Sequence, residues 1–194
     1  MISLLKKIHA EIVLIRPGAT MLDAEGRMKG SLDMPLCETG ERQAEALVDA
    51  LRNVGMDAVY CGPCESAIQT ATRLAETRQL KPRVIEAFEN IDHGLWHGKL
   101  IDELRRTQPR LYREGVDNPE SVCPPGGESI HDARARVEKV LRRLVRKSNH
   151  QVVGLVIPEP LASVIASILH GERVPSIWQH ETDSAHWQLI SVEQ

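Results

Sequence analysis

The sequence predicts an α/β fold, a three-layer α/β/α sandwich with a mostly parallel sheet. Apolar runs typical of strands alternate along the chain with segments whose apolar residues recur at helical spacing. Strands that alternate with helices form right-handed β-α-β crossovers, and the crossover helices cover both faces of a parallel sheet. The predicted strands span residues 12–15, 58–60, 152–157 and 186–192.

Five helices are predicted from apolar spacing and from the residues that begin or end each segment. Gly55, Gly115 and Gly171 are the predicted C-terminal stops. Pro63 suits a first helical position, because a residue there needs no N–H for helical hydrogen bonding. The predicted helices cover residues 40–54, 63–74, 101–114, 130–147 and 161–170.

Length and composition predict a single domain, residues 1–194. With 42% hydrophobic residues the chain can bury a full core, and its net charge of −3 offers no basic field to nucleic acid or anionic membrane. The longest apolar runs, 152–157 and 161–169, fall far below the roughly 20 residues of a bilayer span. We therefore expect a cytoplasmic protein with no membrane segment and no nucleic-acid partner. Four cysteines without a secretory signal do not indicate a disulfide framework.

A functional site is expected at the carboxyl ends of the strands, where the ligand crevices of open α/β sheets lie. Three of the four predicted strands run into prolines there: Pro17 follows the first strand, Pro63 the second and Pro158 the third. Arg16 stands directly before Pro17. An arginine at the end of a buried strand must find an acceptor or reach water, so Arg16 is a candidate binding residue.

Several ordered motifs resemble the histidine phosphatase superfamily, in its phosphoglycerate-mutase-like branch. The segment RPGAT (16–20) is similar to the family's Arg-His-Gly-x-Thr. After Asp23, where Asn is common, GRMKGSLDMPL (26–36) is similar to Gly-Arg-x-Gln-Gly-x-x-Asp-x-Pro-Leu. Further matches are TGERQAEAL (39–47), CGPCESAIQTA (61–71), GLWHG (94–98) and PGGES (125–129). The resemblance spans nearly the whole chain and implies the histidine phosphatase fold.

The chemistry that this resemblance implies is interrupted in the present sequence. In the family one histidine attacks phosphorus, a second histidine helps to stabilise the transferring group, a second arginine clamps the phosphate and a carboxylate commonly serves as general acid. These four positions hold Pro17, Pro158, Ser66 and Asn90, and of the central five residues only Arg16 is kept. Proline supplies neither a nucleophile nor a hydrogen-bond donor, and the Asn90 amide cannot lend a proton.

We therefore expect a catalytically inactive phosphatase-like protein with a binding or regulatory role and no cofactor. Arg16, Arg27 and the backbone N–H groups from Gly18 to Thr20 are the candidate contacts for an anion, since arginine forks and turn amides bind oxyanions without a nucleophile. The expected partner is a small anionic ligand or another protein, and a homodimer is left open.

A phosphatase or other hydrolase with a rebuilt site is the first alternative. Five acid-base residues are expected near the crevice: Asp92, His93, His97, His131 and Glu159. Each of them also suits a plain surface or structural position. If Glu159 points into the crevice, we expect it to pair with Arg16 and to neutralise that anchor.

A thiol-redox protein is the second alternative. The segment CGPC, from Cys61 to Cys64, matches the thioredoxin motif letter for letter, follows a predicted strand and opens a predicted helix. A thiol at a helix N-terminus is expected to have a lowered pKa and to be reactive. The surrounding sequence matches the phosphatase-like pattern instead. The four cysteines do not form two tight CxxC pairs, so no structural metal is expected.

Overall fold

The computed structural model describes residues 9–176, 178 and 184–193. The strands in this part of the chain are β1 (His9–Ile15), β2 (Ala58–Cys61), β3 (Arg83–Val84), β4 (Val152–Val156) and β5 (Trp187–Glu193). The α-helices there are α1 (Met21–Ala24), α2 (Glu38–Ala50), α3 (Glu65–Glu76), α4 (Ile101–Thr107), α5 (Pro109–Asp117), α6 (Ile130–Lys147) and α7 (Leu161–His170). Short 3-10 turns lie at Glu86–Phe88, Gly94–Trp96 and Pro119–Ser121.

The strands form one five-stranded sheet in the order β3-β2-β4-β1-β5. The first four of these run parallel, and β5 runs antiparallel to β1. Successive β1 side chains point to opposite faces: Ile12 and Leu14 join the core under α6 and α7, whereas Val13 and Ile15 join the core under α2 and α3. Helices therefore cover both faces of the sheet, and the predicted three-layer α/β fold is confirmed.

The four predicted strands are present with shifted ends. β1 begins at His9, three residues before the predicted start, and β5 continues to Glu193. The strand β3 was not predicted, because two residues carry no periodicity for a pattern to reveal. It lies at one edge of the sheet, and β5 lies at the other.

Helices α6 and α7 have the predicted bounds. The Ser129 hydroxyl accepts the Asp132 N–H at 3.1 Å and caps the start of α6. Gly171 ends α7 in the left-handed conformation, with φ of 70°, as its position in the sequence predicts. Within the described residues, no helix combines the length and the apolar character needed to cross a membrane.

The helix predicted over 40–54 is shorter at its C-terminal end. It is α2, which stops at Ala50 with Leu51 as the C-cap, so the prediction that Gly55 ends it is wrong. The Arg78 guanidinium donates a hydrogen bond to the Leu51 carbonyl and supplies the partner that a free helix end would lack. That contact comes from 27 residues further along the chain, where local spacing gives no sign of it.

The helix predicted from Pro63 begins two residues later. Cys64 has an extended backbone and is the N-cap of α3, which starts at Glu65. The Asp33 carboxylate accepts the Glu65 N–H at 2.6 Å, so the start of the helix is capped by a side chain from a distant loop.

The single helix predicted over 101–114 is two helices, α4 and α5. The break falls at Gln108, whose φ of −130° and ψ of 58° are not helical, because a residue before proline is disfavoured in the α region. Gly115 lies inside α5 and does not end it. A Cβ at Gly115 would lie 2.3 Å from Nε1 of Trp178, so glycine here permits close packing of the indole ring.

Candidate functional site

The carboxyl ends of β1 and β4 meet at one edge of the sheet. Parallel pairing sets Ile15 opposite Val156, and the Ile157 N–H donates to the Ile15 carbonyl at 2.9 Å. Pro17 and Pro158 each lie two positions beyond this pair. The register therefore places both prolines at the same edge of the sheet, just beyond two neighbouring strands, and both are buried.

Arg16 and Glu159 form a buried ion pair next to these prolines. Nε of Arg16 donates to Oε1 of Glu159 at 2.8 Å, and only 6% and 2% of the surfaces of the two residues are exposed. The second carboxylate oxygen, Oε2, accepts the Ser163 N–H at 3.0 Å in the first turn of α7. Nη1 of Arg16 is buried and has no hydrogen-bond partner among the residues that the structure describes. The expected pairing is present, and Glu159 offsets the charge of Arg16.

Asn90 joins three segments at the same edge. Its Nδ2 donates to the Gly30 carbonyl at 2.9 Å and to the Glu159 carbonyl at 2.7 Å. Its Oδ1 accepts the Leu161 N–H at 3.3 Å. The side chain is 4% exposed, so these bonds supply the partners that a buried amide requires. Asn90 thus fixes the loops around the crevice.

The backbone amides predicted to contact an anion already have acceptors within the protein. The Gly18 N–H faces the Thr70 hydroxyl at 3.3 Å, and the Ala19 N–H donates to the Gln43 side chain at 2.9 Å. The Thr20 N–H donates to Asp23 at 2.7 Å. Any anion at this turn would have to displace one of these acceptors.

The turn after β1 also holds a buried cluster that the sequence analysis did not identify. The Lys29 ammonium lies 3.0 and 2.8 Å from the two carboxylate oxygens of Asp23. The Asp23 carboxylate accepts the Thr20 N–H, and the Thr20 hydroxyl accepts the Asp23 N–H at 3.4 Å, which together form a capping box at the start of α1. The Thr20 hydroxyl also donates to the Asp23 carboxylate at 2.7 Å. The available signal was the pair of departures from the family pattern, Asp23 for Asn and Lys29 for Gln, whose charges are complementary.

Arg27 has a different environment from Arg16. Its Nε donates to the Glu25 carboxylate at 2.7 Å, and its Nη1 donates to the Gly98 carbonyl at 2.7 Å. The backbone of Arg27 forms an isolated bridge with Leu100. Arg27 therefore lies in the loop that follows α1 and fixes this loop to the segment just before α4. Its contacts do not involve Arg16 or Glu159.

A small cleft of about 160 Å³ opens beside Asn90. Its walls carry three carboxylates from separate segments, Asp33, Glu86 and Glu89, together with Ser31, Pro63 and Cys64. None of the described lining residues carries a positive charge. Ser66 is buried behind this wall, with its N–H bonded to the Met34 carbonyl at 3.1 Å. The electrostatic field of such a cleft opposes the entry of a phosphate dianion.

One ring nitrogen of His97 has three polar neighbours near the crevice. Nε2 of His97 accepts the His93 N–H at 3.2 Å, and the same nitrogen lies 3.4 Å from the Ser31 hydroxyl and 3.6 Å from Asp92. His131 is exposed on α6, and Glu159 is held by Arg16, so these two residues lie in environments different from that of His97.

The two thiols of CGPC lie in different environments, and both are free. Burial, with a smaller contribution from Cys64, raises the pKa of Cys61 to about 12, so the expectation of a lowered pKa is wrong for this residue. Cys61 is the last residue of β2 and is fully buried, and α3 starts only at Glu65, four residues later. Among the described residues, no group of three or more potential ligands is placed to hold a metal ion.

We expect Cys61 to react with a neutral alkylating reagent about a thousandfold more slowly below pH 9 than an unperturbed thiol, because its thiolate fraction falls with each unit of raised pKa. Mass spectrometry after timed labelling of the folded protein measures the rate at each cysteine. The exposed Cys123 provides the internal control. A rate at Cys61 equal to or above that of Cys123 would contradict the assignment.

A model of the histidine phosphatase superfamily (branch 1) matches residues 12–194. The chain belongs to this superfamily. Phosphoserine phosphatase 1 of Hydrogenobacter thermophilus is 29% identical over 185 residues, which cover 95% of this chain and 87% of that protein. The adenosylcobalamin/alpha-ribazole phosphatase of Escherichia coli K12 is 26% identical over 93% of this chain and 89% of its own length.

Solved structures of other proteins share the fold. The alpha-ribazole phosphatase of Shigella flexneri superimposes with a TM-score of 0.77 at 25% identity, over 95% of this chain and 94% of that one. A protein described as mycobacterial hydrolase 1 gives a TM-score of 0.81 at 23% identity, over 96% of each chain. The helices and strands described above are thus those of a histidine phosphatase.

Proposed function

We propose that this chain is a catalytically inactive member of the histidine phosphatase superfamily, and that it acts in the cytoplasm by binding a small anion or another protein. The proposal is supported chiefly by one observation: Pro17 and Pro158 follow the paired ends of β1 and β4 by two residues each, and the resemblance implies a histidine at both positions. Neither proline side chain can attack phosphorus or donate to a phosphoryl oxygen.

The residues around the prolines support the same proposal. Arg16, the member of the phosphate clamp that is kept, is already neutralised by Glu159 at 2.8 Å. Asn90 stands where a general acid is expected, and both ends of its amide are bonded to the backbone. The carboxylates of Asp33, Glu86 and Glu89 line the adjacent cleft. Transfer of a phosphoryl group requires positive charge or donors at such a place, not carboxylates.

We expect no turnover of p-nitrophenyl phosphate or phosphoserine above the uncatalysed rate. Phosphoserine is included because the Hydrogenobacter relative is named for its phosphatase reaction. Loss of a nucleophile removes about 10³-fold or more of rate, and loss of the acid a further 10²–10⁴-fold. Continuous release of nitrophenol and of inorganic phosphate provides the measurement. The relative, assayed under the same conditions, is the positive control.

A matched variant restores the four family residues together, as Pro17→His, Pro158→His, Ser66→Arg and Asn90→Glu. Turnover that arises in this variant and is absent from the unaltered chain supports the proposal. Turnover by the unaltered chain at a rate close to that of the relative would contradict it.

The second candidate is a hydrolase with a rebuilt site, and one distance favours it: Ser31 Oγ lies 3.4 Å from Nε2 of His97. If the unaltered chain turns over substrate and both Ser31→Ala and His97→Gln abolish that activity, this candidate replaces the first. Activity that survives both substitutions excludes Ser31 and His97 as its source.

A further inference from the structure

The outer face of α6 carries a continuous row of positive charges, which we call the basic stripe. It consists of five exposed residues: Lys139, Arg142, Arg143, Arg146 and Lys147. Their spacing follows the pattern i, i+3, i+4, i+7 and i+8, so their side chains share one face of the helix. The whole chain has a net charge of −3, so the stripe has the opposite sign to the rest of the protein.

Most of the basic stripe is not neutralised by the residues that the structure describes. Nε of Arg142 donates to the Glu138 carboxylate at 3.1 Å. The other four members form no ion pair with any described residue: Lys139, Arg143, Arg146 and Lys147. A row of exposed cations without carboxylate partners attracts a partner that carries negative charge.

A groove of about 250 Å³ lies beside the basic stripe, between α6 and α7. Its apolar lining comes from Leu141 and Val145 of α6 and from the half-buried Ile168 and Leu169 of α7. Arg142 belongs to the stripe and also lines the groove, so the two features are continuous. A cavity of about 150 Å³ holds a benzene ring, and the groove therefore has room for a leucine or phenylalanine side chain.

The remaining charges at the groove are compensated locally. Arg134 lines it, with Nη1 3.6 Å from the Glu120 carboxylate and 3.0 Å from the Ser167 hydroxyl. Glu138 is the carboxylate among the described lining residues, and Arg142 neutralises it. The surface thus combines an apolar groove with positive charge along one side.

We propose that this groove and the basic stripe form a docking surface for an acidic, amphipathic segment of another protein. The inference rests on the binding role proposed above and names the class of protein partner. Apolar side chains of the segment occupy the groove, and its carboxylates face the stripe. Amphipathic helices bind grooves in this way. Apolar anchors in such a pocket supply most of the affinity, and the peripheral charges set the orientation and speed association.

Lipid and nucleic acid match this surface less well than an acidic protein segment does. The apolar face of α6, which includes Val137, Leu141 and Leu144, is buried in the core, so this helix has no free apolar face to insert into a bilayer. A sugar-phosphate backbone offers negative charge but no aliphatic side chain for the groove. An acidic amphipathic segment complements both the charge and the apolar lining.

Fluorescence anisotropy of a labelled peptide, titrated with the full chain, tests the docking surface. The probe is a designed helix of about 14 residues, roughly 21 Å long. It has leucines at spacings of three and four residues, with glutamate and alanine elsewhere. We expect saturable binding that weakens as the salt concentration rises. A matched peptide with lysine in place of glutamate should not bind.

The double variant Arg143→Gln with Arg146→Gln is expected to bind the probe about tenfold more weakly, because it removes two exposed charges from the stripe. The matched control is Arg42→Gln with Arg52→Gln. It makes the same charge change at two exposed positions on the opposite face of the sheet, and should leave the affinity unchanged.

Leu169→Gln tests the groove itself, because it places a polar group on the apolar lining and keeps the length of the side chain. We expect about a tenfold loss of affinity, with circular dichroism as the check that the variant is folded. If it does not fold, the arginine variant decides. Absence of saturable binding, or an affinity unchanged in either folded variant, would overturn the proposal.

Three competing occupants are measured in parallel. Tighter binding of phosphatidylserine vesicles or of a single-stranded oligonucleotide than of the peptide, lost in the arginine variant, would overturn the proposed partner. Self-association in sedimentation experiments that is lost in the same variant would assign the surface to a second copy of the chain instead. Turnover by the unaltered chain would refute inactivity alone, and failure to bind the peptide without turnover would refute the docking surface alone.

Discussion

Glu159→Gln is expected to lower the free energy of unfolding by about 3–5 kcal/mol, the usual effect of breaking a buried ion pair by removing one charge. The substitution keeps the shape of the side chain and an oxygen that can accept from Arg16 Nε. It leaves the buried guanidinium with no counter-charge among the described residues, in which Nη1 has no hydrogen-bond partner either. Urea unfolding followed by circular dichroism measures the change.

Two further variants make this result interpretable. Arg52→Gln breaks the exposed Arg52–Asp49 pair, whose side chains are 75% and 70% exposed, and should cost less than about 1 kcal/mol. The double substitution Arg16→Met with Glu159→Gln removes the buried charge and should recover much of the loss. A cost below about 1 kcal/mol for Glu159→Gln alone would show that the pair is solvated and not buried as described.

Lys29→Gln is expected to destabilise the protein by about 3 kcal/mol or more, because the Asp23 carboxylate then remains buried with no cation. The donors from Thr20 persist, yet they do not neutralise the charge. The double variant Asp23→Asn with Lys29→Gln restores the residues of the family pattern and should lie within about 1 kcal/mol of the unaltered chain.

A double-mutant cycle in urea measures the coupling between these two positions. The third corner is Asp23→Asn alone, which leaves the Lys29 ammonium buried and should also destabilise the fold. Costs that simply add in the double variant would contradict the view that the two departures from the family pattern compensate each other. A large favourable coupling means that they act as one unit, in which each charge requires the other.

The fold was accessible from the sequence because its signals are local. The apolar run of β1 and the helical spacing of α6 depend on neighbouring residues, and both are found where the pattern places them. Helix ends were harder to predict where tertiary contacts set them. Asp33 caps the start of α3, and Arg78 donates a hydrogen bond at the end of α2. The residues of each helix give no indication of these distant partners.

The site was only partly predictable for a related reason. Residues that follow neighbouring parallel strands lie at the same edge of a sheet, so the shared location of Pro17 and Pro158, and the pairing of Arg16 with Glu159, could be anticipated. The pKa of Cys61 could not, because the sequence places it near a helix start and gives no measure of its burial. The acidic cleft was also missed, since its carboxylates come from segments far apart in the chain.

The alternation of side chains along β1 has a thermodynamic consequence. This strand supplies Ile12 and Leu14 to one hydrophobic core and Val13 and Ile15 to the other. Unfolding of either core therefore exposes side chains of a strand that the other core also needs. The two cores are bound to unfold as one cooperative unit.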